Sequence, residues 1–409
     1  MKILLLMQYF QPEPIFKGLP LARALLDLGH EVEVLTGFPN YPGGKIYSGY
    51  RLKLYQQETL DGIRVTRVPL YPSHSRSGIR RIFNFLSFGF AAFLLGPWFV
   101  KRPDVIYVYN LVTLGPAWRI LRLLYGSKVV VDVQDLWPES VAASGMMKSK
   151  VASRILNAWC RREYKSANKL VVLSPGFKQN LIERRIDESK IEVIYNWCDE
   201  SSICIPEPND SDAKQFGFTN RFNIVFAGTM GVSQSLDCVL EAAAALEKEQ
   251  PDVKFTFVGG GIEVPRLRTR ASNLSNVQFL DPMPPSEIGR VFANADVLLV
   301  HLKDDPIFRI TIPSKIQAYL FAGKPILCGV RGDASDLVQK SGSGVAFMPD
   351  DSDSLITAVR KLRSMTSDEL RIMGKTGRTF YESELSMAQG VHRIEKVLRE
   401  CVEPALKPI

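Results

Sequence analysis

Short, almost uninterrupted apolar runs alternate with longer segments of helical periodicity along this chain, and the alternation occurs twice. The first series opens with Lys2–Met7 and a helix over Leu19–Leu28 closed by Gly29. Apolar runs follow at Val32–Thr36, Ile63–Val68, Val105–Tyr109, Val129–Val133 and Leu170–Leu173. Continuous apolar strands separated by helices predict a parallel sheet covered on both faces. The polar, proline-containing stretch Glu200–Asn220 then reads as a linker. Beyond it the pattern restarts with Phe222–Ala227, a helix over Leu236–Lys248, Phe255–Val258, Val277–Leu280, Val297–Leu302, Pro325–Val330 and Val345–Phe347. The fold class expected is α/β, two doubly wound Rossmann-like domains in series, with a ligand between the carboxyl ends of both sheets. The boundaries expected are residues 1–200 and 201–385, with a C-terminal helix from about 386 to 409 packing back on the first domain.

A length of 409 residues accommodates two domains, each with its own core. Hydrophobic residues at 46% and charged residues at 23% exclude a disordered or fully membrane-embedded chain. The net charge of +8 is unevenly placed: Met1–Lys128 carries 16 Lys/Arg against 7 Asp/Glu, a surplus of 9, so the remainder is close to neutral. The six cysteines form no C-x-x-C pair and do not cluster with the four histidines. Neither a zinc site nor a disulfide framework is expected, and a reducing cytosolic setting fits. Lys2–Met7 is too short for a secretory signal, lacks a small-residue cleavage site after it, and reads as a first strand.

Candidate chemistry centres on Thr311-Ile312-Pro313-Ser314-Lys315. A Pro-Ser step followed by an apolar run and Gly323 predicts a helix from Ser314 to Gly323, whose first N–H groups lack carbonyl partners and form an anion site. With Arg309 five residues upstream of Ser314 and Lys315 on the first turn, a multiply charged anion such as a diphosphate suits it. An ordinary helix between two buried strands, with Lys315 solvated, is the alternative. Two loops repeat the theme: Gln11-Pro12-Glu13-Pro14 with Lys17-Gly18 after the first strand, and Gly228-Thr229-Met230-Gly231 onward in the second half. Glycine lets a backbone approach a phosphate, although any strand-to-helix connection uses such turns. Gly259-Gly260-Gly261 is a third, short of a dinucleotide fingerprint.

Taken together, the residues resemble the family 4 retaining glycosyltransferases of the GT-B fold over nearly the whole chain. The resemblance is carried by Met1–Leu6 with Tyr9–Glu13, Leu28–Val32, Asp135–Ser140, Leu173–Phe177, Ile194–Trp197 and the Pro313-Ser314-Lys315 helix. Within the family it looks most like bacterial enzymes that build O-antigen, capsule and exopolysaccharide units. It implies a nucleotide-sugar donor, commonly UDP-linked, a polyprenyl-diphosphate-linked acceptor, no cofactor, and a leaving phosphate that helps deprotonate the acceptor. Two departures stand out. Ile310 and Ala318 occupy positions where the family often has glutamates, and Thr229 and Gln234 replace an Arg and a Lys. Lys315, Arg309 and the Ser314 helix start are the expected substitutes at the diphosphate.

The catalytic candidates are therefore Lys315, Arg309 and Asp135. Donor contacts are expected from Gly18, Gly228, Thr229 and Gln234, with Thr311, Pro313 and Ser314 at the helix and Met283 against the base. Acceptor contacts are expected from Glu13, Lys17 and Glu139; where relatives carry a His before Asp135, this chain has Gln134, which cannot act as a base. Asp135 can also be read as a helix cap and Met283 as ordinary turn packing, while His301, near the end of a second-domain strand, is a further candidate contact or a satisfied structural histidine. Asp304-Asp305 reads as a solvated loop, and no metal site is expected.

Ile82–Val100 is 19 residues without a charge, rich in Phe, between Arg76, Arg80 and Arg81 and Lys101 and Arg102. At about 1.5 Å per residue it barely matches a hydrocarbon layer of about 30 Å. A span would separate strands that must share one sheet. The segment reads as a helix or helix pair lying in the membrane interface, its basic flanks drawn to anionic lipid, with a buried core helix as the alternative. The protein is expected in the cytoplasm, peripheral on the inner face of the cell membrane. A nucleotide-sugar epimerase of the same fold is the second functional reading. A nucleic-acid binder is disfavoured because the basic residues flank an apolar run rather than form a polar stripe.

Overall fold

The computed structural model describes residues 1–73, 78–110, 112–140 and 149–403. They form two compact units, Met1–Ile194 with the residues from Val391 onward, and Tyr195–Gly390.

The first unit is built on an eight-stranded sheet of β1 (Lys2–Leu6), β2 (Glu31–Gly37), β3 (Gln56–Leu60), β4 (Ile63–Val68), β5 (Val105–Tyr109), β6 (Lys128–Val133), β7 (Lys169–Val172) and β8 (Ile191–Val193). The order is β3-β4-β2-β1-β5-β6-β7-β8, parallel throughout except for the β3–β4 hairpin. The chain winds outward from β1 in one direction, then from β5 in the other, so the sheet reverses between β1 and β5. β3 was not expected from the sequence. It is a polar edge strand, QQETL, alternately half-buried and exposed, and so offers no apolar run. Its signature is the turn: Asp61 and Gly62, with φ of 49° and 81°, join Leu60 to its partner Ile63 as a tight hairpin. The three-residue β8 was also not expected.

The apolar segment is a single 22-residue helix, Gly78–Phe99, between β4 and β5. It is long and apolar enough to cross a membrane, yet its two flanking strands lie in one sheet. One side packs on the unit: Phe88 and Ala92 are buried, and Gly89 and Gly96 lie where a Cβ would meet Thr113 O at 2.5 Å and Leu35 at 3.1 Å. Buried Asn84 accepts from Gln8 Nε2 at 2.5 Å and donates to Tyr71 O at 2.7 Å. The other side exposes Ile79, Phe83, Leu86, Phe90, Leu94 and Trp98, spaced three or four residues apart as one helical stripe.

The second unit holds a six-stranded parallel sheet of β9 (Phe222–Ala227), β10 (Val253–Val258), β11 (Val277–Leu280), β12 (Val297–His301), β13 (Ile326–Gly329) and β14 (Gly344–Ala346). The order β11-β10-β9-β12-β13-β14 reverses between β9 and β12. Phe226, Phe255 and Phe257 fill its core with Leu240 and Leu246 of the helix Asp237–Glu249. The linker contains a short helix, Asp210–Gln215, capped by Asn209 and tied to the unit by the Asp212–Arg290 ion pair. The C-terminal helix Met387–Val402 belongs to the first unit from Val391, where buried His30 Nε2 lies 3.1 Å from Glu395 Oε1.

Candidate active site

In the second unit, β9 ends in a glycine that makes room for a cation. Gly228 has φ of 127°, and a Cβ there would lie 2.9 Å from both Cε and Nζ of Lys315. Gly259, after β10 and with φ of 134°, passes so close that a Cβ would stand 2.2 Å from Gly228 O. No side chain fits between these loops, which explains the glycines at the carboxyl edge of the sheet.

Lys315 sits on the first turn of the helix Ser314–Ala322. The helix is anchored to the same strand end, because Tyr319 Oη accepts the Ala227 N–H at 3.1 Å. Lys315 Nζ lies 4.9 Å from the Phe226 ring centroid, and no carboxylate pairs with it among the described residues. Burial pushes its pKa down from 10.5 to about 8. A half-buried cation with no carboxylate partner among the described residues, on the first turn of a helix, has the chemistry to receive an anion.

The space it faces is a cavity of about 730 Å³. Of the expected donor residues, Gly228, Thr229, Met283, Ser314 and Lys315 line it. Ala318 lines it too, so where the resemblance leads one to expect a glutamate the wall is apolar. Tyr319 and the Gly259–Gly261 turn are further parts of the wall. Tyr319 was missed in the sequence, although four residues after Lys315 it lies one helical turn along.

The other candidates in the second unit are engaged by the protein itself. Arg309 is held by Asp304 through Nε at 3.0 Å and Nη2 at 3.1 Å and is not among the residues that line the cavity beside Lys315. Arg331 pairs with the same carboxylate, and Asp305 caps the helix Pro306–Arg309. Gln234 turns back to accept the Gly231 N–H at 2.9 Å. Thr311 donates to Ile307 O at 2.7 Å, and Pro313 caps the helix. His301 is structural: Nδ1 lies 2.7 Å from Gln234 O and Nε2 accepts the Asp350 N–H at 3.1 Å. Cys238, His301 and Asp350 do converge to within 4.8 Å, a grouping the sequence spacing concealed. The imidazole lone pair there is already taken by that N–H, so the trio does not fit an ion.

In the first unit the switch between β1 and β5 is filled from within. Lys17 is fully buried, with Nζ 2.8 Å from Asp132 Oδ2, and Tyr107 Oη and Gln134 Nε2 donate to the same carboxylate. Lys17 therefore neutralises a buried acid. Glu13 is buried as well. Its oxygens accept the N–H groups of Phe10 at 3.0 Å and of Asn40 and Tyr41 at 2.7 Å, which clamps two loops together. Burial pushes its pKa up to about 7, against those hydrogen bonds and the nearby Arg67. At Gly18 the following Leu19 N–H is taken by Gln11 Oε1 at 2.6 Å, so this helix start is occupied by the protein itself.

Asp135 remains exposed beyond β6, its Oδ2 accepting from Asn110 Nδ2 at 2.8 Å. Asn110 follows β5 with φ of 68°, a conformation that Asn tolerates. Glu139 pairs with Arg184 at 2.5 Å, and Arg184 Nη1 donates to Trp137 O at 2.7 Å. Neither Asn110 nor Arg184 was singled out in the sequence; 25 and 45 residues separate them from their partners.

Two family descriptions match the chain in succession: a glycosyl transferase 4-like domain over residues 19–197 and a glycosyl transferases group 1 domain over residues 221–365. The chain is a glycosyltransferase of the GT-B type. WcaI of Escherichia coli, named as a colanic acid biosynthesis glycosyl transferase, is 25% identical over 348 residues, 81% of this chain and 84% of its own. WbjE of Pseudomonas aeruginosa, named as a glycosyltransferase, is 25% identical over 313 residues, 75% of this chain and 76% of its own. Among solved structures, the UDP-glucose complex of Anabaena Alr3699/HepE has the same fold, with a TM-score of 0.67 at 16% identity over 97% of this chain and 99% of that one. Among the described residues, Lys315 is the cation that lines the cavity of this glycosyltransferase's second unit.

Proposed function

We propose that this glycosyltransferase moves a sugar from a nucleoside diphosphate sugar, UDP-linked, to a polyprenyl-diphosphate-linked saccharide in bacterial surface-polysaccharide synthesis. The observation that carries the reading is Lys315, an uncompensated cation at a helix start facing a cavity of about 730 Å³. Breaking a sugar–phosphate bond needs stabilisation of the departing diphosphate, and one cation with oriented N–H groups out of water supplies it. Thr229 and Ser314 offer hydroxyls to the same ligand, and Met283 an apolar contact for the base. The solved structure with UDP-glucose bound and the colanic acid transferase WcaI, both similar to this chain, support donor and pathway class.

On the acceptor side, Asp135, oriented by Asn110, accepts a hydrogen bond from the acceptor hydroxyl. The leaving phosphate takes the proton, in keeping with a retaining transfer. The exposed stripe of the helix Gly78–Phe99, from Ile79 to Trp98, rests on the cytoplasmic face of the membrane, where a lipid-linked acceptor resides.

The test is to incubate the enzyme with UDP-sugars and lipid-linked saccharide and to measure free UDP and the extended product. Release of UDP only with acceptor present supports transfer. Interconversion of sugar nucleotides without acceptor would establish the epimerase reading instead.

A further inference from the structure

We propose that a recess between the helices Gly78–Phe99 and Lys150–Ser166 holds the hydrocarbon chain of a polyprenyl diphosphate carrier. The inference rests on the acceptor class proposed above and adds where its chain goes. The recess has a volume of about 650 Å³ and is walled by Phe90, Phe93, Pro116, Ile155, Leu156 and Trp159. Its polar groups are few. Trp159 Nε1 donates to Val112 O at 3.2 Å, and Thr113 Oγ1 is buried without a hydrogen-bond partner among the described residues. A lining this apolar offers few partners to ordered water. The recess opens between Phe90, 63% exposed, and Ile155, 67% exposed, a combination that costs free energy until something apolar covers it.

Three features identify the occupant. The first is continuity with the acceptor edge: Val112 and Thr113 in the wall lie two and three residues beyond Asn110, which orients Asp135. A chain in the recess therefore leads to the residue proposed to receive its saccharide. The second is charge. Arg154, Arg161 and Arg162 share the second helix, and the one acid within it, Glu163, is buried against Arg119 at 3.0 Å. Arg80 and Arg81 begin the first helix, six and five residues before Leu86 of the recess wall. These cations complement phosphates on the carrier. The third is size and shape. A recess of this volume falls within the range of single-ligand pockets, roughly 300–1,000 Å³, and suits one chain rather than the two of a diacyl lipid. Leu86 and Phe90 belong both to the exposed stripe and to the recess, so a chain leaves the bilayer without crossing water.

Calorimetric titration with geranylgeranyl diphosphate, kept below its micelle concentration, tests this. Inorganic diphosphate and dioleoyl phosphatidic acid serve as comparators. Wild-type protein should bind the prenyl compound at least about tenfold more tightly than inorganic diphosphate, because burying apolar area dominates. Ala152→Phe, which fills the recess, should remove that advantage while leaving UDP binding and sedimentation with anionic vesicles unchanged. Ile155→Asp, at the exposed mouth and away from the core, should do the same and covers the case in which Ala152→Phe does not fold. Equal affinity for inorganic and prenyl diphosphate, undiminished prenyl binding in both variants, or tighter binding of the diacyl lipid would each overturn the proposal. The assay needs no turnover. Prenyl binding that the variants abolish, in a wild-type protein that transfers no sugar, would sink the transferase reading alone, and wild-type transfer with prenyl binding unaltered in the variants would sink the recess alone.

Discussion

Gly228 and Lys315 compete for one space: a Cβ on the glycine would stand 2.9 Å from the lysine Nζ. The cation reaches the cavity because a strand end 87 positions earlier in the chain carries no side chain. Gly228→Ala should therefore displace Lys315 and also strain a backbone at φ of 127°. A loss of about 1–3 kcal/mol in stability is expected. UDP binding should weaken further than the melting shift explains, read by calorimetry beside a thermal melt.

Lys315→Ala should keep the fold and lower turnover by about 10²–10³-fold, as removal of an oriented group from developing charge does. The pH dependence has a definite sign. In the free enzyme burial holds the Lys315 pKa near 8, and a bound diphosphate draws it upward. Donor affinity should be flat below pH 8 and fall by up to about tenfold per unit above it, because binding then requires proton uptake. Lys315→Met should lack this slope. An unchanged slope in that variant would assign it to another group.

Transfer should persist in excess EDTA. The nearest approach to a ligand set among the described residues is Cys238, His301 and Asp350, and its imidazole already accepts a backbone N–H. Turnover measured before and after chelation checks this. A strict requirement for added magnesium or manganese would count against Lys315 as the main partner of the leaving group.

Lipid contact and folding separate along the helix Gly78–Phe99. Among its phenylalanines, Phe88 is fully buried, the Phe85 ring lies 5.9 Å from that of Trp137 and tilted by 56°, and Phe83 and Phe90 are exposed with Trp98. Replacing Phe83, Phe90 and Trp98 with Ser should reduce sedimentation with anionic vesicles and leave the melting temperature nearly unchanged. Phe88→Ser should instead cost about 3–5 kcal/mol of stability. Equal vesicle binding in the triple variant would remove the membrane role of the stripe.

Asp132→Asn should destabilise the first unit by about 3–5 kcal/mol, since it leaves the Lys17 ammonium buried without its counter-charge. Chemical denaturation measures this, and UDP binding by the folded fraction should be unaffected.

The sequence by itself determined the layout. Two successions of apolar strands and helices were legible because strands buried on both faces leave nearly continuous apolar runs, and the Ser314–Ala322 helix announced itself by Pro313 before it and Gly323 after it. The polar edge strand Gln56–Leu60 was not legible, because a half-exposed strand carries no such run. Nor did the sequence decide which charges are available. Lys17, Glu13 and Arg309 look like site residues, yet each is engaged by a carboxylate or by backbone N–H groups, while Lys315 is left facing a cavity. Pairing a charge depends on neighbours brought together by folding, up to 115 positions apart for Lys17 and Asp132, and spacing along the chain carries no record of it. The same holds for the helix Gly78–Phe99: its composition shows that it is apolar, and only packing against the rest of the unit decides which side is core and which side is left exposed.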